Sequence, residues 1–278
     1  MAILPMPQPH YMQQVSKSIF LIMGCQRSGS TLLESIFDAH PDVRVIGEEN
    51  WDAYRYFQEP EQLPDFPEQY IGLRIPAATH QLSHAIERHP DAHVLFTLRD
   101  PRDVITSMRK LQLMDLVTGK KASWLEAMGH GEIKNCLDNL PEHDPLHATW
   151  HWLRKKTDDL NDARFGGLCW VAKNRFLPLY QKSALKTEVV RYEQLTNHSE
   201  QYLRKLCEFL ELEWHDNLMN HQNFSSGSWS GTNKGEAIHR RSVEAYKKHL
   251  TLNERNSLHS LIEADMETSG YHELFEQQ

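Results

Sequence analysis

Apolar residues along this chain follow two alternating rhythms. Short runs at 19–23, 43–46, 93–98 and 187–191 read as buried strands, the first of them unbroken. Between them apolar positions return every three or four residues. Leu32, Leu33, Ile36 and Phe37 predict a helix over 30–40, closed by Pro41, and Val104, Ile105 and Met108 form the inward face of another that follows Arg102 and Asp103. Further helices are expected at 78–88, 147–161, 170–182, 199–211, 242–249 and 253–266. Strands alternating with helices imply an α/β fold, a central parallel sheet flanked by helices in three layers. Ligands in such sheets bind at the carboxyl ends of the strands, which directs attention to the residues just after 23, 46, 98 and 191.

Three stretches break the rhythm. Residues 57–70 carry three prolines among acids and read as a surface loop. Residues 114–146 have weak periodicity and read as an inserted lid or substrate-facing segment, and the Gly/Ser-rich stretch 223–236 reads as a mobile loop. With no internal repeat, residues 1–278 are expected to form one domain.

A net charge of −8 argues against nucleic acid or an anionic membrane as a general partner, so any anion site must be local. Four scattered cysteines (25, 136, 169, 207) form no C-x-x-C pair and read as reduced thiols. The first 18 residues lack the basic-then-apolar order of a signal peptide, and no apolar run nears the ~20 residues of a membrane span. A soluble, cytoplasmic protein is the expectation.

The first strand breaks into GCQRSGSTLLE, residues 24–34. A strand, a Gly/Ser turn and an amphipathic helix together aim backbone N–H groups and a partial positive charge at one point, which suits a phosphate. Gly24 and Gly29 have the spacing of an ATP loop, but Ser30 stands where that loop needs lysine. Arg27 supplies charge from within the turn, and Ser28, Ser30 and Thr31 add hydroxyls.

Residues 24–43, GCQRSGSTLLESIFDAHPDV, resemble the 5′-phosphosulfate-binding segment of sulfotransferases that use 3′-phosphoadenosine 5′-phosphosulfate (PAPS), most of all bacterial members and the tyrosylprotein branch. The resemblance implies a P-loop-like fold, with Gln26, Arg27, Ser28, Gly29, Ser30 and Thr31 around the cofactor. VLFTLRDPRDVITSMRK, residues 94–110, resembles the family's 3′-phosphate segment and implies that Arg99 and Ser107 grip that phosphate. VVRYEQL and the helix after it resemble a further family segment, in which Glu211 stands where glycine is usual; Tyr192 either lies against the adenine or packs. SVEAYKKHLTLNE resembles a late basic element and brings Lys248, with Lys247 beside it, toward the nucleotide, while the exposed-helix reading leaves both solvated.

The resemblance implies transfer of a sulfuryl group to an acceptor hydroxyl or amine, with the bisphosphate PAP as product and no metal. The second glutamate of the family's G-E-E is its base, which is Glu49 here, with Glu48 the alternate. GLRIPAAT resembles a K-x-P element whose lysine approaches the sulfonate; Arg74 takes that place and is expected to stabilise the transition state. The cytosolic branch uses histidine instead, and His80 lies close by in sequence. A metal-dependent nucleotide kinase, with Asp100 holding magnesium, and a non-catalytic nucleotide-binding protein are the competing readings. The segments that would shape an acceptor pocket, 51–71, 114–146 and 223–241, are where the resemblance fades, so a sugar, lipid, metabolite or peptide hydroxyl stays open.

Overall fold

A computed structural model describes residues 17–114, 119–225, 228–229 and 232–271. The segment expected to lack a leader, and parts of the expected lid and mobile loop, lie outside these residues. Five parallel strands form one sheet in the order β2-β3-β1-β4-β7: β1 (Ser18–Gly24), β2 (Val43–Ile46), β3 (Tyr70–Arg74), β4 (His93–Leu98) and β7 (Thr187–Arg191). A small antiparallel pair, β5 (Gln112–Met114) and β6 (Lys121–Ser123), lies apart from it.

β1 shows why an unbroken apolar run is needed at the centre of such a sheet. Phe20 and Ile22 pack into one apolar cluster, while Leu21 and Met23 pack into another on the opposite face. The first cluster is closed by α1 (Ser30–Asp38), through Leu33, Ile36 and Phe37, and by Leu203 and Leu206 of a later helix. Burying each such side chain is worth about 2 kcal/mol, so both faces contribute to holding the sheet.

Along the chain the remaining helices are α2 (Asp52–Gln58), α3 (Leu82–Arg88), α4 (Pro101–Lys110), α5 (His130–Leu137), α6 (Pro145–Lys156), α7 (Ala163–Asn174), α8 (Leu177–Lys182), α9 (Tyr192–Asn197), α10 (Ser199–Phe209) and α11 (Leu252–Thr268). α4, α6 and α7 begin on aspartate caps, Asp100, Asp144 and Asp162, each accepting an N–H two residues on.

Several expectations need correction. β3 has no counterpart in the strands read from sequence, yet it pairs with both β1 and β2. The helix expected at 170–182 is two, α7 and α8, with the break before Pro178. The loop at 57–70 contains the end of α2 and a 3-10 turn at Pro60–Gln62, and the helix expected at 242–249 is a 3-10 turn at Ala245–Lys248. Within 119–146, read as a lid or substrate-facing segment, Leu125, Ile133, Cys136 and Leu137 belong to the main core, so this part is packed and not loose. All four cysteines are buried free thiols.

After α10 the chain turns through Glu211 at φ 57°, and the N–H of Leu212 reaches back to the carbonyl of Cys207 at 2.9 Å. This is the left-handed helix terminus that favours glycine. Replacing Glu211 with glycine is expected to stabilise the fold by about 1 kcal/mol, because only the exposed Lys186 ion pair is lost in exchange. A lower midpoint for Glu211→Gly in urea unfolding would contradict this account.

Candidate active site

All five strands of the sheet deliver residues to one cavity of about 250 Å³ at their carboxyl ends. β1 leads into the anion loop, β2 into Glu48, β3 into Arg74 and Pro76, β4 into Arg99, and β7 into Tyr192. The missed strand therefore carries one of the site's central cations.

The loop's backbone is bent in ways that its glycines explain. Gly24 lies at φ 116°, where a Cβ would sit 2.3 Å from the carbonyl of Thr97; Gly29 lies at φ 99°, where a Cβ would strike the Tyr192 ring at 2.6 Å. Arg27 adopts φ 70° without being glycine, a strained conformation of the kind that concentrates at functional sites. Thr79 pins the loop's start: its hydroxyl accepts from the Gly24 N–H at 2.9 Å and donates to the Pro76 carbonyl at 2.8 Å. α1 then opens at Ser30 with its amino end toward the cavity.

Two anion sites expected from separate motifs meet here. Arg27 Nε donates to Ser107 Oγ at 3.0 Å, and Arg99 Nη1 donates to the Arg27 carbonyl at 3.0 Å. Burial and the neighbouring guanidinium groups of Arg99 and Arg74 pull Arg27 down to about 10. Arg27 and Arg99 form no ion pair with a carboxylate among the described residues, so their charges favour an incoming anion. Gln26 Oε1, Ser28 Oγ and Arg99 Nε are buried without a protein partner, and the two donors among them suit oxyanions. Tyr192 is buried beneath the Arg99 guanidinium, 4.2 Å from ring centroid to Cζ, and lies against Gly29.

On the β2–β3 side a second network forms around Arg74, itself only 2% exposed. Its Nε donates to Glu34 of α1, its Nη1 to Glu48 at 3.1 Å, and its Nη2 to Glu49 at 3.2 Å. Lys234 adds bonds to Glu34 at 2.6 Å and Glu49 at 3.0 Å. The two adjacent glutamates thus differ sharply. Burial raises Glu48, against the pull of Arg74 and of the Ala77 N–H, which donates to it at 3.2 Å. Burial also pushes Glu49 upward, but Arg74 and Lys234 outweigh it and leave Glu49 lowered. Glu48 lines the cavity and Glu49 does not.

Gln26, Arg27, Gly29, Ser30, Thr31, Glu48, Arg74, Arg99, Ser107 and Tyr192 line the cavity together. Ser28 is buried beside it. Lys247 and Lys248 are not brought in: both are exposed, and Lys247 pairs with Glu244 at 2.9 Å. Their place is taken by 233–242, which lines the cavity through Asn233, Glu236, His239 and Ser242, and by Trp124. Trp124, Asn233, Glu236 and His239 were not singled out, though they fall in the segments 114–146 and 223–241 expected to shape an acceptor pocket; Glu34 was missed, and its signal was a charge among the inward positions of α1. His80 lies outside the cavity lining, and burial lowers it to about 4. Asp100, the magnesium ligand of the kinase reading, is held by Arg102 on both oxygens.

Residues 17–270 match the sulfotransferase domain family. The chain belongs to that family. It is 23% identical over 224 residues to a protein-tyrosine sulfotransferase of Drosophila melanogaster, covering 74% of this chain and 40% of the relative. Protein-tyrosine sulfotransferase A of Caenorhabditis elegans is 27% identical over 218 residues, covering 72% of this chain and 52% of the relative. The chain thus spans about half the length of these curated relatives. In fold it is similar to a mouse sulfotransferase crystallised with PAP, with a TM-score of 0.53 at 14% identity, covering 94% of this chain and 87% of the other. Among the described residues no helix is long and apolar enough to cross a membrane, and no cluster of three metal-ligating side chains occurs.

The depressed Glu49 makes a pH prediction. A carboxyl lowered on folding stabilises above its unfolded value and loses that stability as pH falls through its folded value. Lys234→Ala should therefore lower Tm at neutral pH, and the gap to the parent protein should close in acid. A gap independent of pH would show that the Lys234–Glu49 bond contributes nothing.

Proposed function

We propose that this protein transfers a sulfuryl group from PAPS to an acceptor hydroxyl by in-line displacement, with Glu48 as general base. The observation that carries the proposal is the cavity in which Arg27, Arg74 and Arg99 converge on a strand–loop–helix turn, facing the half-buried carboxyl of Glu48. The unpartnered Ser28 hydroxyl and Arg99 Nε fit a ligand anionic at both ends. PAPS, when bound, supplies the sulfuryl group and departs as PAP.

Each residue then has a definite task. Arg27 and the amides of residues 26–31 would hold the phosphosulfate end and offset the charge that develops on the leaving phosphate oxygen. Arg99 and Ser107 would take the 3′-phosphate. Glu48, raised by burial, is the better proton acceptor, since an ordinary carboxylate is a weak base toward an alcohol. Glu49, bound by two cations, serves instead to hold Arg74 and Lys234. The fork of Arg74 is occupied by three carboxylates, so its part is to aim Glu48. A tyrosine phenol is the acceptor to assay first, because the curated relatives are named for it.

PAP without magnesium should raise Tm, by about 2.7 kcal/mol of stabilisation at one hundred times its Kd. A shift with ATP and magnesium but none with PAP would overturn the proposal. In PAPS turnover, Glu48→Gln should cost about 10²- to 10⁴-fold in kcat with PAP affinity unchanged, and Glu49→Gln should cost far less. The reverse order would move the base to Glu49.

A further inference from the structure

Beneath the site lies a lysine that the reaction itself does not use. Lys173 of α7 is wholly buried, and its ammonium stands 2.6 Å from Glu132 of α5. It also donates to two main-chain carbonyls, Pro76 and Ala77, each at 3.0 Å. Burying a lysine costs several kcal/mol unless its charge is paired and its donors are met; here two carbonyls accept from it and the Glu132 carboxylate balances its charge. The two carbonyls belong to the turn that follows β3. The same turn sends the Ala77 N–H to Glu48 at 3.2 Å and carries Thr79, whose hydroxyl holds Gly24 at the mouth of the anion loop.

We infer that Lys173 is a positioning residue for the reaction: from below, it clamps the 76–79 turn, and through that turn it fixes both the Glu48 carboxylate and the first residue of the anion loop. This rests on Glu48 being the base. The clamp works because Lys173 grips the carbonyl side of the peptide whose N–H side serves Glu48. Drawing off the carbonyl electrons also makes that N–H a stronger donor, since hydrogen bonds in a chain polarise one another. Other elements could have satisfied a buried lysine. Here the acceptors are the segment between the base and the loop.

The charges facing Glu48 are Arg74 on β3, Glu132 on α5 and Lys173 on α7; Arg74 and Lys173 lower it and Glu132 raises it. Lys173 in turn faces Glu132, Cys136 and Cys169, and lies close enough to His80 to help lower that ring. The signs separate positioning from simple packing. Lys173→Met removes a cation and the carbonyl grip, so the Glu48 carboxyl should titrate at higher pH. Glu132→Gln removes an anion while the grip remains, so Glu48 should titrate at lower pH. A role confined to packing would lower Tm in both variants and shift Glu48 in neither.

The experiment is ¹³C NMR of protein labelled on glutamate carboxyls and saturated with PAP, with the Glu48 resonance assigned by its loss in Glu48→Gln. Opposite shifts of the Glu48 midpoint in Lys173→Met and Glu132→Gln, with PAP binding weakened in Lys173→Met and within about twofold of the parent in Glu132→Gln, support the inference. An unchanged midpoint in both, or movement in the same direction, overturns it. If Lys173→Met does not fold, Lys173→Met/Glu132→Leu removes both buried charges at once. Its Glu48 midpoint should still rise, through the loosened Ala77 bond, and an unmoved midpoint overturns the clamp. Failure of the parent protein to bind PAP would count against the sulfuryl-transfer reading instead, which keeps the two outcomes distinct.

Discussion

A guanidinium almost wholly removed from water has to be neutralised where it stands, and Arg74 meets that requirement with three carboxylates at once. Its planar fork reaches Glu34 on α1 and the two glutamates after β2, so one side chain joins three segments that are distant in sequence. A lysine could not bridge them in this way, because a point charge on a flexible stem has no fixed directions to offer. Arg74 therefore goes together with Glu34, which is buried on α1 alongside Ser30, Thr31 and Phe37. The charge of Arg74 is thus used to organise the carboxylates.

The rest of the site follows from the sheet. Five parallel strands point their carboxyl ends the same way, and each supplies one component: amides and Arg27, Glu48, Arg74, Arg99, Tyr192. A chain of net charge −8 can still gather cations at one point, because the placement depends on strand order and not on composition. The far half of the cavity is covered by 233–242, fastened through Lys234 to the Arg74 network and through the Ser242 carbonyl to Arg99. The far half of the site is thus held by Glu34, Glu49 and Arg99, which tie it to α1, to the turn after β2 and to the end of β4.

Much of this was legible in the sequence because strong local signals coincide with the functional strand ends: the apolar run before Gly24, the Arg99 step after β4, the tyrosine after β7. What was hidden has identifiable causes. β3 is short, and Gly72 looks like a breaker, whereas it makes room for the Phe20 ring, which a Cβ would approach to 2.5 Å. Gly166 and Gly167 similarly disguise the start of α7; they let Ile105 and Leu258 close onto the helix. In 119–146 a π-turn at Leu125–Gly129 offsets the helical rhythm, so a packed segment reads as a loose one. The difference between Glu48 and Glu49 could not be read at all, since it depends on Lys234, Ala77 and burial, all set by tertiary contact.

Cys25 sits one residue into the anion loop, yet its sulfur is wholly enclosed, with Cys169 of α7 as its neighbour. An exposed thiol in that position would meet oxidants and electrophiles in the middle of the machinery. Enclosure changes the matter: attack has to wait for the turn itself to open, so the residue's chemical lifetime is set by local unfolding and not by its intrinsic nucleophilicity. A filled anion pocket, by holding the turn shut, would shelter the sulfur further.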